Sequence, residues 1–296
     1  TGSDLNMIYS LKARNSLDAN RIEAYLQDAY RFTSPNEHTL FTLNYGLRFS
    51  HWNFNQETIV SPRISLGIIP AFNNNVTIRL ATGIYYQAPF FKELRDTTTI
   101  AGVTYAKLNN KIKSQRSIHF IAGFDYRFNI NERQFKFTAE AYYKALSNIV
   151  PYSVNNVKVV YYGDNECNGH TAGVDLKLYG EFVPSSDSWI SLSLMDTKIN
   201  LNGKSISLPT DQRYSVNMYF TDFFPGTQRW KMSLKLAYTD GLPFSAPHRE
   251  LEDKSFRASA YKRIDIGMSY RLLDNNNRSI LKNIWFGVDC LNLFGI

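Results

Sequence analysis

The sequence predicts an all-β fold, a transmembrane antiparallel up-and-down β-barrel with about twelve strands. Three observations predict this fold. Apolar and polar residues alternate in many segments, most of these segments are long, and the connections between them are short and long in turn. No segment approaches the roughly 18 consecutive apolar residues of a membrane-spanning helix, so helical spans are excluded.

The alternation is clearest at residues 41–49, where Phe, Leu, Tyr, Leu and Phe occupy every second position. It recurs at 76–86, 118–130 and 230–238, and in about eight further segments. Because successive side chains of a strand point to opposite faces, each segment has one apolar and one polar face. Most segments run about 9 to 15 residues, whereas soluble strands usually have about five or six and membrane-crossing strands about 9 to 11. The length favours a membrane barrel.

The connections between these segments alternate between two kinds. Short ones are rich in Asn, Asp, Pro, Ser and Gly, whereas the long ones cover approximately residues 87–115, 149–167, 199–209 and 242–258. Short turns at one rim and long loops at the other are the expected layout of an outer-membrane barrel. A soluble β-sandwich does not require short and long connections to alternate along the chain.

Composition limits the remaining function classes. The formal charge is +7, but the basic residues are spread singly, which is typical of a solvated surface and predicts no nucleic-acid partner. The five histidines and two cysteines form no metal-ligand spacing, and we find no nucleophile motif or phosphate-binding loop. The sequence therefore predicts a protein that is not an enzyme and has no catalytic residues, metal or cofactor.

Three stretches carry more specific motifs. The first is Tyr25-Leu26-Gln27-Asp28 followed by Tyr45-Gly46-Leu47-Arg48, and the second is Ser61-Pro62-Arg63 with a strand exit at Tyr85-Tyr86-Gln87-Ala88-Pro89-Phe90-Phe91. The third is Asn292-Leu293-Phe294 at the end of the chain. In order and spacing they resemble TonB-dependent outer-membrane receptors, particularly those of the Bacteroidota. The second stretch is the most specific match, and the third resembles the next-to-last strand of such barrels.

The resemblance implies a barrel of about 22 strands around a plug, in the bacterial outer membrane. Residues 1–296 are then a single domain, the C-terminal part of the barrel, while the plug, the early strands and the closing strand lie outside this chain. The implied activity is active import of a nutrient of the siderophore, glycan or peptide class. The implied partners are TonB with ExbB and ExbD, the protein's own plug, outer-membrane lipid and lipopolysaccharide, and in some relatives a surface lipoprotein.

Two sets of residues are candidates for contacts in such a receptor. Aromatic residues of the long connections are candidate substrate contacts, although packing among the loops themselves would also use them: Phe90, Phe91, Tyr105, Tyr152, Tyr161 and Tyr162. Charged residues of the polar strand faces are candidate contacts with the plug and lumen: Arg48, Arg79, Asp125, Arg127, Glu140 and Asp175.

Two alternative functions remain open from the sequence. One is a passive, porin-like channel, and the other is a barrel that serves as an adhesin or as a scaffold in a surface complex. The mixture of acidic and basic residues on the polar faces favours a plugged lumen, because a selective pore tends to carry one sign of charge.

Overall fold

The computed structural model describes residues 10–12, 16–35, 38–100, 103–155, 158–161, 163–165, 167–183, 186–224, 226–245, 255–274 and 283–295. These residues form strands, turns and loops. Nowhere among them is there a helix with the length and apolar character that crossing a bilayer requires.

The strands, in chain order, are β1 Ser10–Lys12, β2 Arg21–Thr33, β3 Leu40–Trp52, β4 Glu57–Ile69, β5 Val76–Gln87, β6 Arg95–Ile100, β7 Val103–Leu108, β8 Gln115–Ile130, β9 Arg133–Ile149, β10 Tyr152–Asn155, β11 Lys158–Tyr161, β12 Cys167–Val183, β13 Ser186–Leu201, β14 Lys204–Ser207, β15 Tyr214–Phe223, β16 Trp230–Thr239, β17 Pro243–Ser245, β18 Ser255–Arg257, β19 Tyr261–Asp274 and β20 Asn283–Cys290.

One large antiparallel sheet contains the twelve long strands. Its order is β2-β3-β4-β5-β8-β9-β12-β13-β15-β16-β19-β20, with β14 paired to β13 at one side. Each long strand pairs with the long strands before and after it in the chain, which is an up-and-down topology, and β2 and β20 form the two open edges. The prediction of an all-β, up-and-down sheet of about twelve strands is confirmed.

The sheet has two different rims. At the short-turn rim the strands are joined by tight connections such as that between β8 and β9, where Asn131 and Glu132 have positive φ angles of 49° and 66°. At the long-loop rim the connections contain strands of their own, namely the hairpins β6–β7, β10–β11 and β17–β18. The segment β1 also lies there, because it pairs in parallel with β7.

The strand register separates the side chains into an apolar and a polar face. Large side chains of the apolar face are well exposed, with relative accessibilities of 76% for Leu26, 54% for Phe120 and 61% for Val288. Soluble proteins rarely expose an apolar surface of this extent, whereas the outside of a membrane barrel must be apolar. The sheet therefore presents a lipid-facing surface along its length.

Aromatic side chains form a band on the apolar face near the short-turn rim. Its members contact one another within and across strands in stacked, tilted and edge-to-face pairs, with ring centroids between 4.7 and 5.7 Å apart: Tyr30, Phe32, Phe41, Tyr126, Phe128, Phe135, Phe182, Trp230 and Tyr270. Tyr and Trp rings are amphipathic and favour the headgroup level of a bilayer, and girdles of aromatic residues flank the apolar zone of membrane barrels. This band marks one boundary of the apolar zone.

Charged groups of the apolar face lie mainly at the opposite, long-loop end. Asp196 of β13 forms ion pairs with His170 at 3.5 Å and with Lys198 at 3.0 Å, and Arg116 Nε donates to the hydroxyl of Ser147. The strands that carry them have 16 or 17 residues, more than a bilayer needs. The long strands therefore extend beyond the apolar zone towards the long loops.

Candidate functional site

Two of the long loops, those between β5 and β8 and between β9 and β12, are joined at their base by a buried apolar cluster, here called the loop-base cluster. It consists of Trp52 at the end of β3, Leu94 and Ile112 from the β5–β8 connection, and Val150 after β9. Leu94 is fully buried, and Tyr161 of β11 packs against the cluster. Burial of apolar side chains from two connections and from the end of β3 fixes these two loops relative to the sheet.

Two carboxylates reinforce the base of the β5–β8 loop. Glu57 accepts hydrogen bonds from the backbone N–H of Ser114 at 3.0 Å and from its hydroxyl at 2.6 Å. Glu93 accepts from the N–H of Phe90 at 2.8 Å and from Nε2 of Gln115 at 3.3 Å. Burial raises the pKa of Glu93, because it removes water from the charged carboxylate more than these hydrogen bonds compensate.

The candidate substrate contacts divide into exposed and packed residues. Phe90, Phe91 and Tyr105 have relative accessibilities of 61%, 40% and 41%. Tyr152 and Tyr161 face each other across the β10–β11 hairpin with ring centroids 5.9 Å apart, and burial raises the pKa of both. The sixth candidate, Tyr162, lies outside the described residues.

Four charged residues of the polar face form what we call the lower ion network, on the part of β5, β8 and β9 nearer the short-turn rim. Arg79 forms an ion pair with Asp125 and lies 3.8 Å from the carboxylate of Glu140, and Lys136 lies 3.5 Å from Asp125. Thr138 also donates to Asp125, at 2.9 Å. Asp125 is only 5% exposed, so its charge is compensated within the wall.

The structure thus brings together three of the six charged candidates, Arg79, Asp125 and Glu140. Asp175 is in register with Glu140 on the neighbouring strand, and Arg127 is in register with Lys136. Arg48 lies elsewhere, where it forms an ion pair of 2.6 Å with Glu23 of β2. All six lie on the polar face, as the alternation predicts.

A second group on the polar face was not singled out from the sequence. We call it the upper stack, and it consists of Arg63, Tyr85 and His119. The guanidinium Cζ of Arg63 lies 4.4 Å from the centroid of the Tyr85 ring, whose other neighbour is the His119 ring at 4.2 Å. Lys144 of β9 is in register with His119. The signal available in the sequence was the polar phase of Arg63 and Tyr85, but only the register shows that they meet.

A third polar group, the rim ion cluster, joins two long loops. Arg257 of β18 forms ion pairs with Asp211, before β15, and with Asp240, after β16. Arg213 binds Asp240 at 2.7 Å, and this hydrogen bond lowers the pKa of that carboxyl. Asp211 and Asp240 are 0% and 5% exposed, so the two loops share buried, paired charges.

In the described part of the chain, His, Cys, Asp and Glu nowhere form a group of three or more that could hold a metal ion. The long-loop rim exposes aromatic side chains, and the polar face carries paired charges. Both features suit noncovalent contact with other molecules.

Comparison with solved structures shows the same fold. The chain is similar to a mutant of the ferric enterobactin receptor PfeA from Pseudomonas aeruginosa, with 16% identity and a TM-score of 0.63 over 93% of this chain and 40% of that one. It is similar to the ferric-catecholate import receptor Fiu from K12 E. coli, with 12% identity and a TM-score of 0.61 over 93% and 40% of the chains. It is also similar to the outer membrane transporter YddB from Escherichia coli, with 15% identity and a TM-score of 0.62 over 92% of this chain and 41% of that one.

The chain spans about two fifths of the length of these structures. No curated protein matches it. Residues 1–293 match the family described as TonB dependent receptor-like, beta-barrel. The chain therefore belongs to the TonB-dependent receptor β-barrel family, a family of receptors of the bacterial outer membrane.

Proposed function

We propose that this chain is the C-terminal part of the barrel of an active importer that is energised through TonB. The family assignment carries the proposal, because it covers residues 1–293. The motifs quoted above favour a receptor of the Bacteroidota type. Residues 1–296 would form one domain, which supplies barrel wall and extracellular loops, while the plug, the early strands and the closing strand belong to the rest of the protein.

The lower ion network supports a plugged rather than an open lumen. Its acidic and basic groups neutralise one another, whereas a pore that selects ions tends to present one sign of charge. Arg79 and Glu140 keep a good part of their side chains accessible, at 40% and 36%, and so retain hydrogen-bonding capacity towards the interior. We assign Arg48, Arg79, Asp125, Arg127, Glu140 and Asp175 to contacts with the plug and lumen.

The substrate is proposed to be a nutrient of the siderophore, glycan or peptide class. Receptors for ferric enterobactin and ferric catecholates are among the similar structures, which supports a siderophore within this range. Phe90, Phe91 and Tyr105 are proposed as the main contacts, because they are exposed on the connection that supplies Leu94 and Ile112 to the loop-base cluster. Tyr152 and Tyr161 would support the same surface from the adjacent connection, and Tyr162 is kept as a candidate substrate contact.

The proposed partners follow from the mode of transport. TonB with ExbB and ExbD would act on an N-terminal segment of the full-length protein, and the plug would fill the lumen. Outer-membrane lipid and lipopolysaccharide would contact the apolar face, and a surface lipoprotein could cover the long loops. We propose no enzymatic activity.

The proposal is tested by uptake in the bacterium that encodes the protein. Cells that express the full-length receptor are compared with cells that lack it, each with and without TonB, using labelled ferric siderophores, oligosaccharides and peptides. One class of nutrient should enter only when both receptor and TonB are present. Receptor-dependent uptake that persists without TonB would show a passive channel and contradict the proposal.

A further inference from the structure

The upper stack and the lower ion network lie on the same polar face but differ in charge balance. In the lower network two cations, Arg79 and Lys136, face two carboxylates, Asp125 and Glu140. Arg63, in contrast, contacts the face of an aromatic ring. Within the described part of the chain, the ion pairs of the polar face involve neither Arg63 nor Lys144.

A glycine leaves the space in which the side chains of the upper stack pack. Gly83 of β5 is in register with Arg63 on one side and with His119 on the other. A Cβ atom at this position would lie 3.1 Å from Cγ of Arg63 and 3.2 Å from Cε2 of Tyr85. The Tyr85 ring therefore lies over a backbone without a side chain, and the flat groups on either side can stack on it.

Lys144 extends this positive surface by one strand. It is in register with His119, and its Nζ lies 5.0 Å from the centroid of the Tyr142 ring. Arg63 and Lys144 thus flank the two stacked rings from β4 and β9. A cation held on an aromatic face keeps its N–H donors available to a further acceptor, and a guanidinium suits a carboxylate in particular.

We propose that Arg63, Tyr85, His119 and Lys144 form an anion-binding subsite on the lumen wall, on the side of the long loops. This inference rests on the proposed function, because it places the subsite on the path of the imported molecule. The ligand class is a flat organic anion, such as an aromatic carboxylate. Its acidic group binds Arg63 and Lys144, and its ring contacts the exposed edge of the stack.

The test measures binding of two probes of the same shape to the purified full-length receptor in detergent. Benzoate carries the negative charge, and benzamide is its neutral counterpart. Titrations followed by saturation-transfer NMR should show tighter binding of benzoate, and the difference should shrink as salt is added. Arg63→Gln and Lys144→Gln should each weaken benzoate binding about tenfold and leave benzamide unaffected.

Lys231→Gln is the matched control. Lys231 also lies on the polar face above an aromatic ring, that of Phe223 at 5.6 Å, but on β16, far along the sheet from the upper stack. Its replacement should leave benzoate binding unchanged. Lys144→Gln keeps the test decisive if Arg63→Gln does not fold, because Lys144 lies outside the stack itself.

Two results would overturn the inference. One is benzoate binding no tighter than that of benzamide. The other is wild-type receptor that binds neither probe, since the two cations would then already be matched by a carboxylate of the plug. Binding in detergent needs no TonB, so failure of this test is distinct from failure of TonB-dependent uptake.

Discussion

The guanidinium of Arg79 lies directly over Gly123, the residue in register with it on the adjacent strand. A Cβ atom at Gly123 would approach Nη2 and Nε of Arg79 to 3.1 and 3.2 Å. We therefore predict that Gly123→Val displaces Arg79 from Asp125 and lowers the stability of the full-length receptor by about 1–3 kcal/mol. Heat-modifiable migration in gels measures the loss.

The control for this substitution is Gly67→Val, on the same face. A Cβ at Gly67 meets nothing closer than the carbonyl oxygen of Thr42, at 3.8 Å. This variant should unfold close to the wild-type temperature. An equal loss of stability in both variants would show that valine itself is responsible, and not the displacement of Arg79 from its position over Gly123.

Asp125 should be the most sensitive member of the lower ion network, because it is 5% exposed and contacts both Arg79 and Lys136. Asp125→Asn leaves two cations without their shared carboxylate. We expect the free energy of unfolding to fall by only about 1–2 kcal/mol, since both cations are partly exposed and screened by solvent. Asp222→Asn, on the other face of β15, is the control and should change the unfolding temperature little.

Glu93 makes the loop base sensitive to pH. Its folded-state pKa is raised by burial, so its contribution to stability is fully present below the unfolded pKa and is lost as pH rises through the folded pKa. Limited proteolysis of the β5–β8 loop should therefore be slower at about pH 4.5 than at about pH 7. Proteolysis of the Glu93→Gln variant should be slow at both pH values. The Glu132→Gln variant should show the same difference in rate between the two pH values as the wild type.

Arg257 should hold the two loops of the rim ion cluster together. Arg257→Gln removes the partner that Asp211 and Asp240 share. We expect the free energy of unfolding to fall by about 2 kcal/mol and proteolysis within residues 241–260 to become faster. Because the pKa of Asp240 is lowered, its contribution is present above the unfolded pKa and lost as pH falls through the folded pKa. Arg229→Gln, at the short-turn rim, should behave as wild type.

The large sheet was predictable because its strands are long and alternate strictly. The segment at 118–130 became β8, Gln115–Ile130, and the segment near 39–50 became β3, Leu40–Trp52. The loop hairpins were not predictable, since β10 and β11 have four residues each and carry too few alternations to be distinguished from irregular chain. The β10–β11 hairpin packs against the loop-base cluster through Tyr161, a contact that alternation does not predict.

The candidate sites were predictable only as far as the face on which they lie. Alternation places Arg79 and Asp125 on one face, but their contact depends on the register between β5 and β8. Glu57 and Ser114 are 57 positions apart, and Ser114 follows a loop whose path the sequence does not indicate. The carboxylates with the best-defined partners at the long-loop rim were missed for this reason.

The pairing of β8 with β9, which runs in register from Arg116 and Ser147 to Ile130 and Arg133, also has a mechanical meaning. Antiparallel hydrogen bonds lie perpendicular to the strands, so a pull directed along a strand strains the whole row of bonds at once and not one after another. The lower ion network is attached to β5, β8 and β9 on the part of such rows nearer the short-turn rim. A force applied to it from the polar side would be spread along three strands, so this part of the wall would resist the force as one stiff unit.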